Sequence, residues 1–193
     1  MTDFVQRETS DANFSASENT TVSENASKNT AASQKTAAMA ELSAWLLPIS
    51  ATQSVAVGRY ELKYIEYVDA VVSVPGLPAF CEQGFVWRNR FIPALDLWRL
   101  LTRRRMPNQA SQHLAAIVAY ENALGELAMG AFLLAGVPKL VAVAPAQSVA
   151  VEALPQEWQP LALAAFTVEG TIYPVLDVGC LFNKTPTGLL ALH

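Results

Sequence analysis

The chain has 193 residues, 52% of them hydrophobic and only 16% charged, with a formal net charge of −4. That supports one globular region of about 150 residues with a real core, and the acidic balance argues against general nucleic-acid binding. Two cysteines, Cys81 and Cys180, stand far apart without neighbouring histidines; they fit no zinc spacing and no disulfide framework, and read as reduced, largely buried thiols of a cytosolic protein.

Residues 1–38 are dominated by Ser, Thr and Asn, with Phe4, Val5, Phe14 and Val22 the only large apolar side chains besides Met1. Such a segment buries too little surface to offset its ordering entropy, so it reads as a disordered polar tail. It has no basic stretch followed by an apolar one, and so no secretory signal. The ordered part then begins. Ser43–Ser50 reads as a first strand, Gln53–Gly58 as a second, and Tyr60–Val72 continues with β-formers. Pro75, Gly76 and Pro78 break regular structure, and Ala79–Gln83 reads as one helical turn. Thr102–Gln112 is a polar loop. Leu114–Tyr120 and Leu127–Leu134 read as strands joined by Glu121–Gly125, followed by a strand at Lys139–Val143 and a longer connection at Pro145–Pro160. Asn183–His193 is a frayed or helical end. The apolar stretch Ala128–Val137 is too short for a membrane span, which needs roughly 20 apolar residues, so direct membrane insertion is not expected.

One unit occurs twice. Phe85, Pro93, Leu95, Asp96 and Leu100 recur without a gap as Phe166, Pro174, Leu176, Asp177 and Leu181, 81 residues later. Asn89 falls on Gly170, and both tolerate the positive φ of a tight turn. Each copy therefore predicts a hairpin, a proline on an edge or at a bulge, an Asp that caps, and a short helix at Leu97–Leu101 or Val178–Phe182. A catalytic carboxylate pair is the other reading of Asp96 and Asp177; their equivalent places in separate units favour capping. Many short strands with little helix indicate a mainly β, barrel-like fold, and the duplication points to two small barrels.

Six arginines, Arg88, Arg90, Arg99, Arg103, Arg104 and Arg105, lie within 18 residues. They form a solvated face, a positive patch for an acidic partner helix, or a phosphate or nucleic-acid site. Arg88 at a hairpin tip is either an unpaired turn residue or a fork for a carboxylate. Glu66 reads as lying on the polar face of a Tyr-rich strand, either solvated or in contact with a partner or Arg88. Trp45, Trp87, Trp98 and Trp158 read as mostly core, with Trp87 a candidate hot spot beside Arg88. His113 and His193 stand in no nucleophile motif, and no phosphate-cradling loop or metal cluster is present in the sequence, so no catalysis, metal or cofactor is expected.

Residues from about Glu41 to Phe182 resemble the CheW-type coupling domain of bacterial chemosensory systems. The resemblance rests on Tyr64-Ile-Glu-Tyr67, Val74-Pro-Gly-Leu-Pro-Ala-Phe80 and Trp87-Arg-Asn-Arg-Phe-Ile-Pro-Ala-Leu-Asp-Leu97. Glu66 takes the family's strand glutamate, Pro78 and Phe80 its turn, Arg88 its hairpin arginine, Pro93 and Asp96 its strand and cap. The family's glycine before the hairpin falls on Gln83, its asparagine on Val86 and its turn glycine on Asn89, and Ala135 stands where an aspartate is usual. The resemblance implies two SH3-like five-stranded β-barrel subdomains, intertwined over 41–185, with 186–193 as a C-terminal end. It also implies a non-catalytic cytoplasmic adaptor joining chemoreceptor cytoplasmic tips to the regulatory domain of a CheA-type histidine kinase. Glu66, Trp87, Arg88, Asn89 and Arg90 are the expected protein-binding residues. A β-barrel protein that binds a small ligand or single-stranded nucleic acid is the alternative from another class, and a hydrolase of unrecognised geometry a third.

Overall fold

Twelve strands and two short helices are seen in a computed structural model that describes residues 42–75, 81, 83–103 and 112–183. The expectations for the tail at 1–38, for Pro78 and Phe80, for most of the Ala79–Gln83 turn, for Arg104 and Arg105, and for residues 186–193 lie outside the described residues.

In chain order the first half holds β1 (Leu42–Pro48), β2 (Ser54–Gly58), β3 (Leu62–Val68), β4 (Val72–Ser73), β5 (Gln83–Trp87), β6 (Arg90–Leu95) and α1 (Leu97–Thr102). The second half holds β7 (His113–Glu121), β8 (Leu127–Leu134), β9 (Lys139–Val143), β10 (Ser148–Val149), β11 (Ala162–Val168), β12 (Thr171–Leu176) and α2 (Val178–Asn183). The connection at 145–160 contains β10 and short 3₁₀ turns rather than plain loop. Tyr60–Val72 is not one strand. The Glu61 carboxylate accepts the Gly58 N–H at 2.6 Å and closes a turn before β3, and the strand ends at Val68.

The strands form two curled six-stranded sheets, in the orders β10-β11-β12-β2-β1-β9 and β3-β7-β8-β6-β5-β4. Five strands of each have at least five residues and the sixth, β4 or β10, has two. The expected five-stranded modules are therefore present, each with a short extra strand. The halves are interlaced. The first hairpin of the chain, β1–β2, belongs to the sheet of the second repeated unit, and β7–β8 belongs to the sheet of the first. Two parallel pairings join them at equivalent register, Ala94 with Ala131 and Val175 with Ala56.

The duplicated unit is reproduced residue by residue. Gly84 opposes Pro93 and Ala165 opposes Pro174. Neither proline lies on an outer strand, against the expectation. Each precedes the point where its strand gains a second neighbour, at Ala94 or Val175, so the missing N–H interrupts no ladder there. Both turns have two residues at positive φ, Arg88 (49°) with Asn89 (63°) and Glu169 (51°) with Gly170 (79°). That is the backbone of a two-residue I′ turn, whose twist matches the flanking strands. Asp96 Oδ1 accepts the Arg99 N–H at 2.9 Å, and Asp177 Oδ1 the Cys180 N–H at 2.7 Å. Each carboxylate thus caps its own helix, as the repeat predicts.

Strand alternation fills three apolar clusters. The largest, with Leu47, Val55, Leu97, Phe132, Leu176 and Leu181, draws on both sheets and both helices. A second, with Phe85, Ile92, Ile117 and Leu133, fills the curl of the β3-containing sheet. A third, around Ala44, Ala56 and Phe166, belongs to the other sheet.

Candidate functional site

Strand β3 alternates cleanly. Tyr64, Glu66 and Val68 face inward while Lys63, Ile65 and Tyr67 face solvent. Glu66 is therefore half-buried, not on the polar face. Across the curl, Phe85 and Trp87 face inward from β5, and Phe85 is buried in the cluster against which Tyr64 and Trp87 pack. The two sides of the sheet meet where β3 and the end of β5 approach each other.

The contacts there are specific. The Trp87 indole N–H donates to Glu66 Oε1 at 3.3 Å. The Tyr64 and Trp87 rings lie 4.6 Å apart between centroids, tilted by 49°. The Arg88 guanidinium carbon sits 4.3 Å from the Trp87 centroid and 4.7 Å from that of Tyr64, and Nη1 lies 3.5 Å from the Tyr64 hydroxyl. Both ring distances are within cation–π range. The glutamate thus takes the tryptophan as its partner, and the arginine takes the two rings. Of the five expected residues, Glu66, Trp87 and Arg88 come together, while Asn89 and Arg90 lie exposed on the same turn. Tyr64 is the member that sequence reasoning missed. The signal was its place two residues from Glu66 in a strand, which puts both side chains on one face.

Among the described residues the arginine cluster divides in two. Arg88 and Arg90 stand at the hairpin tip, and Arg99 and Arg103 at α1, beyond the far end of β6. Strand β6 runs from Arg90 to Leu95, a rise of about 17 Å between its two ends.

A second feature faces outward. Val86 opposes Phe91 across the hairpin, 70% and 51% exposed, with Val72 on β4 49% exposed. A side chain at Gly84 would overlap the Phe91 ring, so that ring lies across the glycine. The apolar surface here is out of phase with the buried positions Phe85 and Ile92, and so is not core.

Asp96 is buried, and burial pushes its carboxyl above the ordinary range, against the lowering effect of the Arg99 N–H and the Arg99 charge. Cys81 and Cys180 are half-buried and joined in no disulfide. Among the described residues no group of three or more His, Cys, Asp or Glu side chains is placed to hold a metal ion. No helix among them is long and apolar enough to cross a membrane.

Comparison with known proteins adds independent information. The family model of the CheW-like domain matches residues 50–186. Among solved structures, the scaffolding protein TtCheW from Thermoanaerobacter tengcongensis superposes with a TM-score of 0.60 at 13% identity, over 78% of this chain and 93% of that one. At that identity the likeness speaks for the fold. No curated protein matches the chain significantly. With a match over more than two thirds of its length and the interlaced two-sheet architecture to go with it, the chain belongs to the CheW-like domain family.

Proposed function

We propose that the protein is a non-catalytic scaffold that couples chemoreceptors to a CheA-type histidine kinase in a bacterial chemosensory system, working in the cytoplasm at receptor arrays. Family membership supports a coupling scaffold in chemotaxis signalling. The observation that carries the finer reading is the hairpin tip. It presents an exposed arginine already stacked on two aromatic rings, a composition typical of protein–protein hot spots. The kinase's regulatory domain and the receptor's cytoplasmic tip are the proposed partners, and Glu66, Trp87, Arg88, Asn89 and Arg90 the proposed contact region. The protein's contribution is to hold two others in register, so that a change in receptor state becomes a change in kinase activity through a coupling free energy.

Titration of the purified chain against purified regulatory domains of CheA-type kinases from the same genome, and against receptor tip fragments, tests this. Saturable binding to one kinase and one receptor is the expected result. Absence of binding to all of them would remove the scaffold reading.

A further inference from the structure

The hairpin tip holds a residue whose side chain is out of keeping with its backbone. Arg88 occupies the first central position of the I′ turn at φ 49°. Asn, Asp or Gly fit that position at lower strain than a long side chain does. Glu169 holds the equivalent position of the second copy at φ 51°, so it is the ring contacts of Arg88, not the backbone alone, that set it apart. That side chain is also held. Its guanidinium, the Tyr64 ring and the Trp87 ring make a triangle with sides of 4.3, 4.6 and 4.7 Å. Glu66 accepts the Trp87 indole N–H, which helps hold that ring in place. Among the described residues, Arg88 contacts the two rings and the Tyr64 hydroxyl and pairs with no carboxylate.

We infer that Tyr64 is a positioning residue that, with Trp87 locked by Glu66, holds the Arg88 fork in advance for a carboxylate on the binding partner. The inference rests on the protein-binding reading of this surface and names the chemistry it selects. An arginine on a flexible turn loses much rotamer freedom when it pairs. One already stacked on two rings loses little, so preorganisation raises affinity without adding a contact to the partner. The outward N–H groups remain available for a bidentate pair. Tyr64 reaches Arg88 from β3, 24 residues away in sequence, so the arrangement exists only when the sheet has curled.

Two measurements on the full chain test it. In the free protein, the Arg88 Nε–Hε resonance, assigned by its loss in Arg88→Lys, is expected to carry a ring-current shift. Tyr64→Leu should move it toward the averaged arginine position, leaving only the share due to Trp87, and Tyr64→Phe should keep most of the shift. Tyr64→Met serves if the leucine variant fails to fold, because it fills space without a ring. In titrations against the kinase regulatory domain and a receptor tip fragment, Tyr64→Leu should weaken whichever pairing uses this surface by about threefold to tenfold. Tyr64→Leu combined with Arg88→Ala should be no weaker than Arg88→Ala alone, as in a coupled pair. An unmoved Arg88 resonance, or fully additive losses, would overturn the inference. If the wild type bound neither partner, the scaffold reading would fall, and the resonance would still decide whether Tyr64 holds Arg88.

Discussion

Asp96 and Asp177 each accept the backbone N–H of the residue three places on, at 2.9 and 2.7 Å, yet only Asp96 is sealed from solvent. Equivalent positions in a duplicated unit therefore share a capping role and differ in electrostatics. Burial raises the Asp96 carboxyl above its ordinary value of 3.8. The folded state then holds a proton more tightly than the unfolded chain does. This favours folding below 3.8, and the advantage is lost as pH rises through the raised value.

Two variants separate cap from charge at this position. Asp96→Ala should destabilise by about 0.5–2 kcal/mol through the lost cap. Asp96→Asn keeps an acceptor and has no charge to desolvate. Its stability relative to wild type should improve between about pH 4 and pH 7, read from urea midpoints at the two values. The half-buried Glu61 titrates in the same sense, raised chiefly by burial and further by Asp177, with the Gly58 N–H opposing. It is common to wild type and variant, so it cancels in the comparison.

Asn89 sits at φ 63°, where a Cβ-bearing residue without a locally bonding side chain is strained. Asn89→Ala should lower stability by about 1 kcal/mol, and Asn89→Gly should be close to neutral. If the glycine variant binds partners as wild type does, the asparagine serves the turn. A binding defect at unchanged stability would make it a contact residue.

Phe182 of α2 is seated over Gly130 and stacked on Tyr120, 4.9 Å between centroids and 17° from parallel. A methyl at residue 130 would occupy the space of that ring. Gly130→Ala should displace Phe182 and cost about 1–3 kcal/mol through overpacking. Thermal melts should show the loss, together with a change in near-ultraviolet aromatic dichroism. An unchanged melting point would mean that the ring moves aside freely.

Arg88→Glu reverses the charge at the hairpin tip and breaks both ring contacts. It should weaken association with the kinase or receptor by at least about tenfold, through repulsion of a partner carboxylate, and leave the melting temperature within a few degrees. Equal affinity by calorimetric titration would take Arg88 out of the interface.

Much of this fold was legible in the chain. The 81-residue echo identified the hairpin, the positive-φ turn, the capping aspartate and the short helix, because each depends on interactions within about fifteen residues. The duplication and the family resemblance both pointed to two modules, and Glu66, Trp87 and Arg88 were expected as protein-binding residues; that Glu66 and Trp87 pair is a finding of the structure. The residue-level reading misassigned the face of Glu66, because a carboxylate between two tyrosines looks like the solvent side of a strand until the register is known. For the described arginines, the one-patch alternative is weakened because sequence distance conceals the length of β6 between Arg90 and Arg99.

By itself the sequence determined the local devices: turn, cap, alternation, and the duplication that makes two similar sheets. Only the tertiary structure decided that the halves exchange their first hairpins, through Ala94 with Ala131 and Val175 with Ala56. Only it decided that Tyr64 and Glu66, on a distant strand, set the posture of Trp87 and Arg88. Local devices follow from short-range sterics and hydrogen bonding, which a residue carries wherever it stands. Which strands become neighbours depends on how two apolar faces close over one shared core, and that choice involves the whole chain at once.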